Sequence, residues 1–95
     1  MANRAAALTA KYDNFSDVLY MAVEKPRQGV RYFETDEGLL LRVGPEGQPV
    51  GITVEDYMNR WESRLDELAD AIAKQLHLDV AIIRTRLPEG RYLAH

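Results

Sequence analysis

Residues 39–54, LLLRVGPEGQPVGITV, contain two short hydrophobic runs separated by a polar turn. Apolar side chains alternate through 39–43 and again through 49–54, which is the period-two pattern of strands with one buried face. The intervening GPEGQ supplies the glycine and proline that a tight turn uses. Because parallel neighbours need a crossover of about a dozen residues or more, these two strands are predicted to pair antiparallel.

Three further strands are predicted on the N-terminal side of this pair. They are 7–12 (ALTAKY), 18–23 (VLYMAV) and 30–34 (VRYFE), which are rich in β-branched and aromatic residues or alternate with period two. The connections contain the Asn, Asp, Gly and Pro residues that turns use. Since every gap is short, the simplest topology is an antiparallel meander of four to five strands.

On the C-terminal side of residue 54 the hydrophobic spacing changes to three and four residues. One apolar stripe is formed by Met58, Trp61, Leu65, Leu68, Ile72 and Leu76. This spacing predicts a long amphipathic helix over about 55–76 that packs against the sheet. Thr53, with Asp56 three positions later, is the predicted N-terminal cap of this helix.

The segment LDVAIIRTRL, residues 78–87, favours a second, short helix over a strand at 80–84. Asp79 is the predicted cap, Val80, Ile83 and Leu87 form the inner side, and Pro88 ends the element. The predicted fold class is therefore α+β, in one domain over 1–95: a strand-rich part at 1–54 and a helical part at 55–95.

Composition argues against several classes of function. Twelve Lys and Arg against 15 Asp and Glu give a formal net charge of −3, which provides no overall attraction to nucleic acid or anionic membranes. The absence of cysteine removes disulfides, thiolate metal sites and thiol nucleophiles. Neither a signal-peptide core nor an apolar run of about 18 residues is present, so we expect a cytoplasmic protein.

The turn between the first two predicted strands carries two carboxylates. In YDNFSDVLY, residues 12–20, Asp13 lies where an Asx turn has its side chain accept backbone N–H groups, and Asp17 can continue that turn. The alternative is a site for a hard cation. Such ions take about six or more oxygen ligands, and the sequence brings no further acidic cluster close to this turn. A turn is favoured, and neither a metal nor a cofactor is expected.

The same stretch contains a spaced motif, Y-D-x-x-x-D-x-L-Y. Its residues are Tyr12, Asp13, Asp17, Leu19 and Tyr20. Together with the later DEGLLLRVGPEGQPVGITVED, this motif resembles the small bacterial family called domain of unknown function 2283. The resemblance covers about residues 8–58 and leaves 59–95 unmatched. It implies a compact strand-rich domain with a helix, and it carries no established activity or catalytic residue.

No group of residues in the sequence supplies a catalytic mechanism. His77 is expected at a helix end and His95 is the last residue, so neither has a recognisable partner. No serine stands beside a base, and no two carboxylates have visibly different surroundings. We therefore expect a protein without enzymatic activity.

The predicted sheet has a second apolar face that one helical layer would leave uncovered. Both alternating sets of side chains in 18–23 are apolar, and Leu40 points away from the Leu39 side. Because contiguous apolar patches of several hundred Å² are seldom exposed, a second copy is expected to cover this face. The expected interface residues are Val18, Tyr20, Phe33, Leu40 and Trp61. The favoured function is a small bacterial interaction or regulatory module that acts as a homodimer or binds a partner protein.

The main alternative is a DNA-binding or antitoxin-like regulator. Segment 65–87 has the apolar spacing of a helix-turn-helix, and a locally basic tail could contact phosphates. The candidate contacts are Arg84, Arg86 and Arg91. Against this alternative, the preceding helix is acidic and His77 occupies the turn position where glycine is usual. Nucleic acid is therefore the less favoured partner.

Overall fold

The computed structural model describes residues 5–25 and 28–89. Within them the chain forms one antiparallel sheet and then turns helical. The strands are β1 (Thr9–Asp13), β2 (Val18–Ala22), β3 (Arg31–Glu34), β4 (Leu40–Val43) and β5 (Pro49–Val54). Each strand begins and ends close to its predicted run, because alternating hydrophobicity and turn residues are local signals. The predicted α+β class is confirmed.

The order of the strands in the sheet is β1-β2-β5-β4-β3, which corrects the predicted meander. β5 follows β4 in sequence and pairs with it, but its other edge pairs with β2. This central position suits β5, since Val50, Gly51, Ile52 and Val54 are all buried. β3, whose four residues are all exposed, takes the edge.

The helical part differs from the prediction at its start. The chain makes a π-helical turn at Tyr57–Trp61 and a 3-10 turn at Glu62–Arg64 before the α-helix α1 (Leu65–Leu76) begins. Thr53 lies inside β5, and the Asp56 side chain makes no capping hydrogen bond, so the predicted cap is wrong. The predicted stripe is nevertheless buried from Trp61 onward, with Met58 only partly buried.

The predicted second helix is present as α2 (Val80–Arg86). Asp79 caps it as predicted, because its carboxylate accepts the N–H of Ala81 at 2.8 Å. Ile83 is fully buried and Leu87 is 5% exposed, whereas Val80 is 41% exposed. Ile83 and Leu87 therefore form the inner side of α2, and Val80 does not.

The core lies between the helices and one face of the sheet. Leu19, Met21 and Val23 of the β2 region are buried there, against side chains from α1 and from α2. α1 packs against β5, and α2 packs against α1 and adds Ile83 to the same core cluster, so both helices lie on this side of the sheet. Across residues 5–25 and 28–89, the helices lack the length and hydrophobicity that a membrane span requires.

Candidate functional site

The turn between β1 and β2 is an Asx turn, as predicted. The Asp13 carboxylate accepts the backbone N–H of Phe15 at 3.0 Å and that of Ser16 at 3.4 Å. Hydrogen bonds from the Ser16 side chain and from these two N–H groups hold the pKa of Asp13 below its usual range. Asp13 therefore stabilises the local turn.

Asp17 connects this turn to the start of the helical part, more than 40 residues later in the chain. Its carboxylate accepts the N–H of Met58 at 2.8 Å and of Asn59 at 3.4 Å, and its carbonyl oxygen accepts the N–H of Tyr57 at 3.0 Å. Free N–H groups at a helix start need such acceptors. The cap predicted at Thr53 and Asp56 is thus supplied by the first hairpin instead.

Two tyrosines complete this junction. The Tyr12 hydroxyl donates to the Asp17 carboxylate at 2.7 Å, and its ring lies 5.5 Å from that of Tyr57, centroid to centroid. The fully buried Tyr57 donates its hydroxyl to the carbonyl oxygen of Pro88. Burial, and then the bond to Asp17, raise the pKa of Tyr12 to about 12, so this phenol stays protonated near neutral pH.

Both carboxylates of the turn are occupied by donors from the protein itself. Burial raises the pKa of Asp17, but the hydrogen bonds from Met58, Tyr12 and Asn59 outweigh it and the pKa lies below its ordinary value. Over residues 5–25 and 28–89, no three or more Asp, Glu or His side chains are grouped so that they could hold a metal ion.

Calcium or magnesium at millimolar concentration should leave the melting temperature of the protein unchanged. The reason is that Asp13 and Asp17 already accept hydrogen bonds, while a hard cation needs about six free oxygen ligands. Thermal denaturation with and without each cation measures this. A cation that stabilises the wild type, but not the Asp13→Asn/Asp17→Asn variant, would show that the turn is a metal site after all.

The second face of the sheet has no covering layer in the described part of the chain. We call this surface the open face. The strand register aligns its side chains in two rows that run across all five strands. The first row, from β1 to β3, is Thr9, Ala22, Gly51, Arg42 and Tyr32. The second row, in the same order, is Lys11, Tyr20, Thr53, Leu40 and Glu34. Val18, two residues before Tyr20, lies on the same side of β2.

Three of the five predicted interface residues lie on the open face. Tyr20 is 46% exposed, and Val18 and Leu40 are partly exposed. Phe33, 49% exposed, is directly opposite Leu41 in the register and therefore lies on the helix-covered side, at the uncovered edge of the sheet. The prediction that Phe33 and Leu40 share a face is wrong, because adjacent strands pair residues of the same side.

Trp61 is not available for an interface in this structure. It is 3% exposed and belongs to the core, and the guanidinium carbons of Arg64 and Arg60 lie 4.5 and 5.4 Å from its ring centre. The π-helical turn that contains Trp61 buries both its first and its last residue, Tyr57 and Trp61. The periodicity had correctly predicted a core position, and the assignment to the interface is corrected.

Arg42 is a feature of the open face that sequence reasoning missed. A Cβ atom on Gly51 would lie only 2.9 Å from Nη2 of Arg42, so the guanidinium occupies the space that a side chain would need. Nε of Arg42 is buried and has no hydrogen-bond partner among the described residues. A glycine inside a strand signals such close approach, but it does not identify the group that approaches.

The open face contains a shallow groove of about 450 Å³. Its lining includes Thr9, Lys11, Tyr20, Ala22, Arg42 and Thr53. These are small, aromatic and cationic side chains from four of the five strands. Glu24 and Lys25 also line the groove, which therefore combines apolar side chains with three cationic groups and one carboxylate.

The basic tail of the DNA-binding alternative is largely engaged within the chain. Nε of Arg84 lies 2.9 Å from the Asp66 carboxylate, and its Nη1 lies 3.9 Å from that of Glu89. Arg86 donates to the carbonyl oxygen of Leu8 at 3.2 Å. Arg91 and His95 lie outside the described residues. Nothing in this geometry favours phosphate binding over the internal contacts.

The architecture defines an α+β protein in which one layer of helices covers one face of a five-stranded antiparallel sheet. A family model described as a protein of unknown function, DUF2283, matches residues 10–57, and the chain belongs to this family. No curated protein and no solved structure matches the chain significantly. The matched residues run from β1 to the first residue of the π-helical turn, so they include most of the open face, while α1 and α2 lie outside the match.

Proposed function

We propose that this protein is a small self-association module that forms a homodimer through the open face of its sheet and has no catalytic activity. The observation that supports this function is the exposure of Tyr20. In the motif Y-D-x-x-x-D-x-L-Y, the first four specified residues have roles inside the chain. The Tyr12 hydroxyl donates a hydrogen bond to Asp17, the Asp13 carboxylate accepts hydrogen bonds within the turn, and Leu19 is fully buried.

Tyr20 has the chemistry and the position of an interface anchor. It lies on β2, next to the central strand, with Leu40 on the other side of that strand. Tyrosine combines a large apolar ring with one polar atom and is enriched among residues that carry binding energy. Two sheets packed face to face interdigitate such side chains across about 10 Å.

The lack of catalysis is part of the proposal. Asp13, Asp17, Tyr12 and Tyr57 are used in hydrogen bonds that hold the fold together. Among the described residues that line the groove on the open face there is no serine, cysteine or histidine, the residue types that most often act as nucleophile and general base. A chain without cysteine also fits the reducing bacterial cytoplasm in which we expect this module to act.

Tyr20→Lys should convert the dimer to a monomer, because it replaces a central apolar contact with a charge that the interface would have to bury. Light scattering across a dilution series measures the mass against the 10.8 kDa of one chain. Phe15→Lys is the matched control, since it makes the same change of charge at an aromatic side chain that is 98% exposed in the turn.

The wild type and Phe15→Lys should both have twice the mass of one chain at micromolar concentration, and Tyr20→Lys should have the mass of one. A wild-type mass of 10.8 kDa at every concentration would refute self-association. A Tyr20→Lys variant that stays as dimeric as the control would exclude the open face as the contact surface.

A further inference from the structure

We infer that the two copies pack with their strands aligned about a two-fold axis that runs along β5, so that Lys11 of each copy faces Glu34 of the other. This geometry rests on the proposed self-association and adds the way in which the two copies meet. It follows from the order of the side chains in the second row of the open face, whose two ends have opposite charge.

Lys11 and Glu34 are at the two edges of the same row. Lys11 is on β1, Glu34 is on β3, and both are exposed. Neither forms an ion pair with another residue of the described ranges. Within one copy they are separated by the three inner strands, about 19 Å at the usual spacing of about 4.8 Å, so they cannot contact each other.

Sheets that pack face to face usually keep their strand directions within about 30° of each other. A two-fold axis along the central strand then places β1 over β3 and β2 over β4 of the other copy. In the second row, Lys11 faces the other copy's Glu34, Tyr20 faces Leu40, and Thr53 faces its own counterpart. Within this row the charged Lys11–Glu34 pairs lie at the rim and the Tyr20–Leu40 pairs lie inside it, the order found in ordinary interfaces.

The first row is compatible with the same axis. Thr9 faces Tyr32 of the second copy, and Ala22 faces Arg42, so small side chains lie opposite large ones. The arrangement also brings the two Arg42 guanidinium groups toward the axis, because each lies over Gly51. Their repulsion opposes association, so a neutral side chain at position 42 should not weaken the dimer.

An axis perpendicular to the strands gives a different result. Each strand would then face its own counterpart, and the two charged edges would remain apart. Only the axis along β5 makes Lys11 and Glu34 complementary. Charge complementarity of this kind fixes the register of a complex more than it increases the affinity. A charge-swap experiment can therefore identify the geometry.

Lys11→Glu and Glu34→Lys should each weaken the dimer about tenfold, because each places like charges together at two symmetric points. The double variant Lys11→Glu/Glu34→Lys should return to within about threefold of the wild-type dissociation constant. Sedimentation equilibrium measures these constants. Glu34→Lys is the sharper single variant, since it moves the net charge from −3 to −1 and would tighten the dimer if only net charge mattered.

Asp70→Lys is the matched control, because it makes the same change of net charge at an exposed position of α1, away from the open face. It should not weaken association, and Arg42→Gln should not weaken it either. A wild-type dimer in which the double swap is no better than the single variants would overturn the aligned geometry and leave self-association intact. A wild type that is monomeric throughout would instead refute self-association itself.

Discussion

Leu68→Ala should lower the free energy of unfolding by about 2–5 kcal/mol, which is the usual cost of removing three buried carbon atoms and leaving a cavity. Leu68 is fully buried in the first turn of α1 and packs in the cluster that joins this helix to the sheet. Since a domain of this size has about 5–10 kcal/mol of stability, the change amounts to a large part of the total.

Urea denaturation at one fixed protein concentration measures this effect, since dimerisation would otherwise shift the apparent stability. Asp70→Ala is the control within the same helix, because Asp70 is exposed and its truncation creates no cavity. An unchanged midpoint for Leu68→Ala would mean that α1 does not pack on the sheet as described. The direction and size of the effect do not depend on the proposed interface.

Asp17→Ala is the second substitution with a large expected effect, a loss of about 2–3 kcal/mol. Removing the carboxylate leaves the Met58 N–H and the Tyr12 hydroxyl without their acceptor, and both bonds are partly buried. A lost helix cap costs about 0.5–2 kcal/mol, and a buried donor left without a partner about 1–3 kcal/mol. Asp13→Ala should be much less harmful, because its turn is exposed.

The same bonds give the stability a dependence on pH. The folded pKa of Asp17 lies below its unfolded value of about 3.9, so the folded state favours the charged carboxylate. This contribution is fully present above about pH 5, where the carboxylate is charged in both states, and it is lost as the pH falls through the folded pKa. The difference in unfolding free energy between wild type and Asp17→Ala should have its full size at pH 7 and shrink in that acid range, which urea denaturation at each pH measures; a difference that stays constant would show that Asp17 does not act as a charged cap.

The elements of the fold could be predicted from the sequence because their signals are local. The alternation in 49–54 marks β5, and the three- and four-residue steps after Met58 mark the helical stripe. The π-helical turn at its start was not predicted, since its side chains have nearly the same spacing as those of an α-helix. A cap was expected at Thr53 because capping patterns are read from residues next to the helix start in sequence.

The structural features that could not be predicted from the sequence depend on contacts between residues far apart in the chain. Asp17 caps the helical part across more than 40 residues, and no pattern near Met58 points to it. Phe33 was assigned to the wrong face because a strand's alternation does not say which of its two sides meets the helices. The approach of Arg42 to Gly51 likewise requires the register between β4 and β5.

The central position of β5 has a consequence for how the chain folds during its synthesis. The hairpin of β1 and β2 leaves the ribosome before the rest of the sheet, and the inner edge of β2 has no partner strand until residues 49–54 have followed. Closing that long loop costs entropy before the new contacts compensate for it, and such pairings form late. Until then the nascent hairpin is exposed on both faces and along the unpaired edge of β2. The π-helical turn that Asp17 caps follows β5 directly in the chain, so β2 gains its partner strand and Asp17 gains its hydrogen bonds at nearly the same point of synthesis.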